Sequence, residues 1–334
     1  MADLNATLPS ETPAIPGLIL RSFGGPADFA GIAAIMTASL ADHNGERYTA
    51  EVVANTFAHP ANTDPLQDTL IAEVDGTLVG YANTQWRVEE CGAACWHWIH
   101  LYLEPAWRGR GLEQAIQNHL ERRARLVAAA AGPAGARHLF TSMAPETWRA
   151  RVDALLALGY APVRYFFEMQ RSLEGDLPEL VMPAGFEIRE PLPEHYRAIW
   201  DADGESNRDN WSAAALEEEE FRAWVETPDL DPSLWRVAWD GDQVAGASIN
   251  VSQKSEDGTR EVWGETDSLF VRRPWRRRGL GRALLVASMH LFKSRGMITA
   301  GLGVDTENPS GALGLYEGLG YRPYQRVVLY QKPV

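Results

Sequence analysis

The chain is written twice. Ile19-Leu20-Arg21 opens one half and Glu187-Ile188-Arg189 the other, and Arg21 to Arg189 spans the same 168 positions as Arg108 to Arg276. Between these marks the order of elements is shared. A helix-like stretch (28–40 and 194–202) precedes a hairpin signal, Asp75-Gly76 in one half and Asp240-Gly241 in the other, each between β-rich runs. A further strand follows (96–103 and 262–271), then an Arg/Gly turn, an apolar-periodic helix (113–130 and 282–294), a Leu-Gly-Tyr and a last strand (164–170 and 326–331). A constant offset across so many elements implies one fold used twice. The expected halves are residues 17–171 and 186–334, joined by a linker at 172–185 that contains Pro178 and Pro183, and preceded by a loose tail at 1–16. Each half is expected to be α+β, a twisted, mostly antiparallel sheet flanked by helices.

Charge narrows the ligands. The 334 residues carry a formal net charge of -14, which argues against nucleic acid or an anionic membrane as partner, and any anionic ligand must use a local basic cluster. No apolar run approaches the ~20 residues of a membrane span. The N-terminal stretch lacks the basic start and apolar core of a signal peptide, and two cysteines form no disulfide scaffold, so a reducing cytoplasm is expected. Cys91, Cys95, His97 and His100 are four metal-type ligands within ten residues. Strand periodicity puts Cys95 and His97 on one face and His100 on the other, so no metal is expected.

The basic cluster is Val271-Arg272-Arg273-Pro274-Trp275-Arg276-Arg277-Arg278-Gly279-Leu280-Gly281-Arg282. A strand enters a Gly-containing turn that starts a helix. Glycine lets a ligand approach the backbone, and the unpaired N–H groups at the helix start suit a pyrophosphate. Gly-x-Gly alone would read as a solvated turn; six arginines between a strand and a helix favour phosphate.

Arg276-x-x-Gly279-x-Gly281 resembles motif A of the GNAT superfamily of acyl-CoA-dependent N-acyltransferases. The segment from Gly303 through Asn308 and Tyr316 to Tyr321 resembles its motif B. The doubled arrangement resembles tandem GNAT proteins, of which mycothiol synthase is one kind. The resemblance implies that the backbone of Arg277, Arg278, Gly279, Leu280, Gly281 and Arg282 holds the pyrophosphate of acetyl-CoA, with Arg276 opening the motif. It implies that Leu269, Phe270 and Val271 splay from their neighbour to bind the pantetheine arm, and that Asn308 contacts the cofactor. Glu265 falls in the register of the family's general base, with Asp267 second, and Tyr316 in that of the general acid. Each has a plainer alternative: a carboxylate paired with an arginine, a tyrosine in the core.

The first half departs from the pattern. In Arg108-Gly109-Arg110-Gly111-Leu112-Glu113 a glutamate takes the last Gly position, His97 takes the base register and Leu155 that of Tyr316. This half is expected neither to catalyse nor to bind acetyl-CoA well, with His97 a packed strand histidine. The acidic stretch 201–209 and Glu217 to Glu220 suggest a cationic amine acceptor or a solvated face, and Trp200, Trp211 and Trp224 suggest packing. The expected function is N-acetylation of a primary amine by direct attack in a ternary complex, in the second half. The alternatives are a mycothiol-synthase-like acetylation of an amino-sugar conjugate, or an acyl-CoA-binding module without turnover. A monomer with an internal pseudo-dimer is expected, a homodimer being the alternative.

Overall fold

A computed structural model of the chain describes residues 12–41, 46–130, 135–211, 213–214, 216–255 and 259–334. Most of the expected tail, residues 1–11, lies outside them. The chain forms two compact units. The first is 1–164 with 327–334; the second is 165–326.

In the first unit, β1 (Leu18–Ser22), α1 (Phe29–Leu40) and α2 (Ala50–Ala58) lead into β2 (Thr69–Val74), β3 (Thr77–Val88) and β4 (Ala94–Leu103). Then come α3 (Leu112–Ala130), β5 (Arg137–Pro145) and α4 (Arg149–Ala157). β1 to β4 pair antiparallel in order and β4–β5 is parallel. The Asp75-Gly76 hairpin forms as read, both residues at positive φ (48° and 80°). The core on the α1 side is Ile32, Ile35, Val53, Ile71 and Tyr81, with Tyr102 against it.

β6 (Ala161–Ser172) then leads into β7 (Glu187–Arg189), α5 (Tyr196–Asn207), α6 (Glu218–Glu226), β8 (Arg236–Asp240), β9 (Gln243–Lys254) and β10 (Glu261–Val271). α7 (Leu280–Ser294), β11 (Thr299–Asp305), α8 (Ala312–Gly318) and β12 (Arg322–Pro333) follow. β7 to β10 are antiparallel in order and β10–β11 is parallel. α7 buries Leu285, Val286, Met289 and Phe292 with Val237, Ile249, Ala300 and Leu302 of the sheet.

The expected halves differ from the observed units in their last strands. Residues 166–172 of β6 pair antiparallel with β11, completing the second unit's sheet, and Val327–Pro333 of β12 pair antiparallel with β5, completing the first. The stretch expected as an interdomain linker is free of helix and strand from residue 173 on, but it joins β6 to β7 inside the second unit. Alternation in a sequence specifies the two faces of a strand, not the edge it pairs with, so two like strands can trade places without a trace in the pattern.

Candidate active site

β10 carries the site because past Thr266 it is held on one edge only. It pairs with β11 over Trp263–Thr266, then continues along β9 alone to Val271 opposite Gly246. The backbone of Leu269, Phe270 and Val271 therefore faces an opened edge. The chain turns through Arg277 (φ 62°) and Gly279 (φ 84°) into α7. The first helical bond is Ala283 N–H to Gly279 C=O, so the N–H groups of Leu280, Gly281 and Arg282 are not used by the helix. A Cβ at Gly281 would meet Val271 and Leu315 only at ordinary distances, 3.7 and 3.9 Å. Packing does not demand glycine there, and its absence of a side chain leaves the backbone open to close approach.

These groups surround a cleft of about 580 Å³. It is lined by Leu269, Phe270, Val271, Arg276, Arg277, Gly279, Leu280, Gly281, Arg282, Asn308 and Tyr316. Of the residues the sequence pointed to, Arg278 stands apart, its guanidinium 5.9 Å from the Phe186 ring centroid. A pyrophosphate fits these donors: backbone N–H groups at a helix start, with arginines at the rim.

The arginines are not all free to meet an anion. Arg272 pairs with Glu205 at 2.7 Å, and Asp209 accepts from both Arg273 and Arg276. Those two hydrogen bonds, Arg273 first, hold the Asp209 carboxyl well below the usual carboxylate range. Much of the acidity of 201–209 is thus engaged by the motif's own arginines, with Asp201 on Arg197. On α6, Glu218 meets Arg197 and Glu219 meets Arg222, the bonds of a solvated face. Trp224 stacks on Trp235 at 4.9 Å and tilts against Trp200, so these indoles pack.

Asp203 behaves differently. It accepts from Ser268 Oγ at 2.8 Å and Asn207 Nδ2 at 2.9 Å rather than from a cation. Burial, helped by the charge of Asp267, pushes its pKa up to about 6. In the sequence Asp203 is one acidic residue among several; its position under Ser268 singles it out.

A β-bulge sets the faces of β10. The register against β9 slips between Thr266 and Ser268. Before the slip, a Cβ at Gly264 would collide with Phe292 of α7, and Thr266 is tied through Asn250 to Ser288 of α7. Glu265 therefore points away from α7, towards the side of α5. After the slip, Leu269 and Val271 turn to the α7 side and Ser268 meets Asp203 of α5. Glu265 accepts from Trp263 Nε1 at 2.7 Å. Asp267 is exposed. The cleft takes in Tyr316 but neither Glu265 nor Asp267, which stand upstream on β10. Tyr316 is 7% exposed, and burial pushes its phenol up to about 12, so it remains a proton donor at neutral pH.

The first unit has filled the same places. Glu113 accepts from the Gly109 N–H at 2.8 Å and from Trp148 Nε1 at 3.3 Å. The glutamate that takes the last Gly position is thus a plug on its own turn. Beyond Trp98, where β4 and β5 part, Ser142 Oγ donates to Ile99 C=O and buried Arg151 donates to Ser142 and Gln117. Leu155 occupies the position of Tyr316: Tyr160 N–H bonds Leu155 C=O as Tyr321 N–H bonds Tyr316 C=O, each at 3.0 Å. β4 runs beside β3 without a register slip. His97 therefore keeps the register of Glu265 but not its side. It lies opposite Phe140, over which Arg125 of α3 sits, and so faces α3. It is 1% exposed, and burial, then the nearby His138, lowers its pKa to about 4. Of Cys91, Cys95, His97 and His100, from which no metal was expected, Cys95 and His97 come together. His138 of β5 comes within 4.8 Å of Cys95 and His97.

Comparison with known proteins agrees with this arrangement. The model of the acetyltransferase (GNAT) family matches residues 33–140 and again 196–321. A mycothiol acetyltransferase of Thermomonospora curvata is 29% identical over 266 residues, covering 79% of this chain and 82% of its own. One from Geodermatophilus obscurus is 27% identical over 306 residues, covering 89% and 91%. Among solved structures, a GCN5-related N-acetyltransferase from Sphaerobacter thermophilus superposes with TM-score 0.63 at 25% identity, over 98% of this chain and 97% of the other. A tandem GNAT protein from the clavulanic acid biosynthesis pathway shares the fold, with TM-score 0.63 at 14% identity over 95% and 98%. With one match in each half and the nucleotide-type turn intact in the second, the chain belongs to the GNAT acetyltransferase family as a tandem member.

Proposed function

We propose that the second unit is the catalytic one and moves an acetyl group from acetyl-CoA to the primary amine of a small-molecule acceptor, by direct attack in a ternary complex. One observation carries this reading: the free helix-start amides, the opened edge of β10 and Tyr316 meet in one cleft, while the matching places of the first unit are filled by Glu113, Ser142 and Arg151.

Acetyl-CoA, when bound, supplies a thioester whose carbonyl carbon is open to attack. The turn 277–282 holds its pyrophosphate, with Arg276 in reach, and Asn308 contacts it from the far wall. A backbone N–H on the free edge at 269–271 polarises the carbonyl. Glu265 takes a proton from the amine, directly or through water, because an ammonium has no lone pair. As the C–N bond forms and the C–S bond breaks, Tyr316 gives its proton to the departing thiolate. Asp267 and Asp203 add negative charge near β10 and favour a cationic acceptor.

A second reading concerns the acceptor. The relatives named mycothiol acetyltransferase cover most of this chain, which favours an amino-sugar conjugate of the mycothiol type. No helix among the described residues is long and apolar enough to cross a membrane, and both cysteines are free, which suits a reducing cytoplasm.

The test is CoA release with a panel of amines, amino-sugar thiol conjugates included, by wild type, Glu265→Gln and Tyr316→Phe. Glu265→Gln is expected to lose about 10²–10⁴ in kcat while binding acetyl-CoA normally. Full activity in Glu265→Gln would pass the base role to Asp267 or Asp203. Acetyl-CoA binding without turnover on any amine would leave a binding module in place of an enzyme.

A further inference from the structure

The first unit gave up one set of chemical groups and gathered another. Cys95 and His97 stand two apart on β4, and His138 is in register with Cys95 on the parallel neighbour β5. Cys95 is 0% exposed and His97 1%, while His138 is half-buried. Cys95 Sγ lies 3.8 Å from His97 Nε2, which lies 2.9 Å from His138 Nδ1, and the three ligand atoms are all within 4.8 Å of one another.

We propose that Cys95, His97 and His138 form a zinc site that ties β4 to β5 beneath α3, with a fourth position left to water or a small anion. Zinc takes Cys sulfur at about 2.3 Å and His nitrogen at about 2.0–2.1 Å, which in a tetrahedron sets neighbouring ligand atoms about 3.3–3.6 Å apart. The observed separations bracket that range, so small side-chain rotations complete the site. The chemistry of the cluster also asks for a cation. His97 Nε2 faces both other groups and has one proton or one lone pair to offer, not a full bond to each. A cation accepting a lone pair from all three removes that shortfall. On binding, the Cys95 thiol gives its proton to solvent and ligates as thiolate. No carboxylate belongs to the cluster, so the ligand set is soft and suits zinc better than magnesium or calcium. The half-exposed His138 edge is the way in.

The experiment uses the full chain, stripped by chelator and titrated with Co²⁺ as a spectroscopic stand-in, then with Zn²⁺. One Co²⁺ per chain is expected, with the absorption of a thiolate-to-cobalt bond and of tetrahedral coordination, both displaced by Zn²⁺. Cys91→Ser keeps the signal, Cys95→Ser loses the thiolate band, and His138→Gln weakens binding more than about tenfold. Thermal unfolding of wild type is expected to move up with Zn²⁺, and that of Cys95→Ser to stay put. Absence of a thiolate-to-cobalt band in wild type would overturn the proposal. So would a band abolished by Cys91→Ser. Neither result requires a variant of the cluster to fold.

Discussion

The turns 108–113 and 276–281 follow one backbone path to opposite ends. Both place two residues at positive φ, Gly109 and Gly111 at 73° and 88°, Arg277 and Gly279 at 62° and 84°. Both start a helix on the following leucine. In one, the residue after that leucine is Glu113, and its carboxylate takes the Gly109 N–H for itself. In the other it is Gly281, and the amides stay open to the cleft. The first turn has glycine at its earlier positive-φ position and is relaxed. The second keeps an arginine there, strained but set at the cleft mouth. A duplicated fold can therefore retain its backbone while one side chain at a helix start closes the turn.

Grafting one turn's chemistry onto the other is the strongest way to break this comparison. Gly281→Glu should still fold, because the helical position has room, but should weaken acetyl-CoA binding about a thousandfold. This takes ~4 kcal/mol for like charges about 4 Å apart at the surface; calorimetry reads it, and unaltered binding would detach the pyrophosphate from this turn. The reverse change, Glu113→Ala, should destabilise the chain by about 3 kcal/mol in urea unfolding, since two donors lose their acceptor. It should not create a second acetyl-CoA site, because Ser142 and Arg151 still fill the gap beyond Trp98. Two equivalent sites in wild type would refute the division of roles.

Asp203 sharpens the contrast through pH. Its pKa of about 6 is raised above the usual aspartate value. The fold thus favours the protonated form, and that stability is full below about pH 4 and lost as pH rises through 6. Asp203→Asn, which still accepts from Ser268, should be more stable than wild type at pH 7 by something on the order of 2 kcal/mol, and no more stable at pH 4. Equal stability at both pH values would mean that the fold does not favour the protonated form of Asp203. The smallest effect is expected from Arg277→Gly, about 1 kcal/mol of stabilisation from relief of the left-handed backbone, together with weaker acetyl-CoA binding.

Much of this molecule was legible in the residues. The repeat, the Asp75-Gly76 hairpin, the helices after Gly111 and Gly279 and the turn lining the cleft all follow from local rules of period, turn chemistry and helix starts. The plain readings of Glu217 to Glu220 and of Trp200 and Trp224 were likewise readable as charge runs and packing. What escaped depended on neighbours distant in sequence. Asp203 became distinct from Asp201 and Glu205 only because Ser268 lies over it. His138 joined Cys95 and His97 only through the parallel pairing of β5.

The sequence by itself determined the two copies, through a constant offset, and the place of the glycine turn before α7 with Glu113 standing where the second copy has Gly281, because those turn residues are neighbours in the chain. Tertiary structure decided the exchange of β6 and β12 between sheets, since alternation leaves the choice of edge open. It also decided the facing of β10. One extra residue in β10 sends Glu265 to the α5 side, while unbulged β4 sends His97 under α3, and a period of two cannot reveal where a register slips.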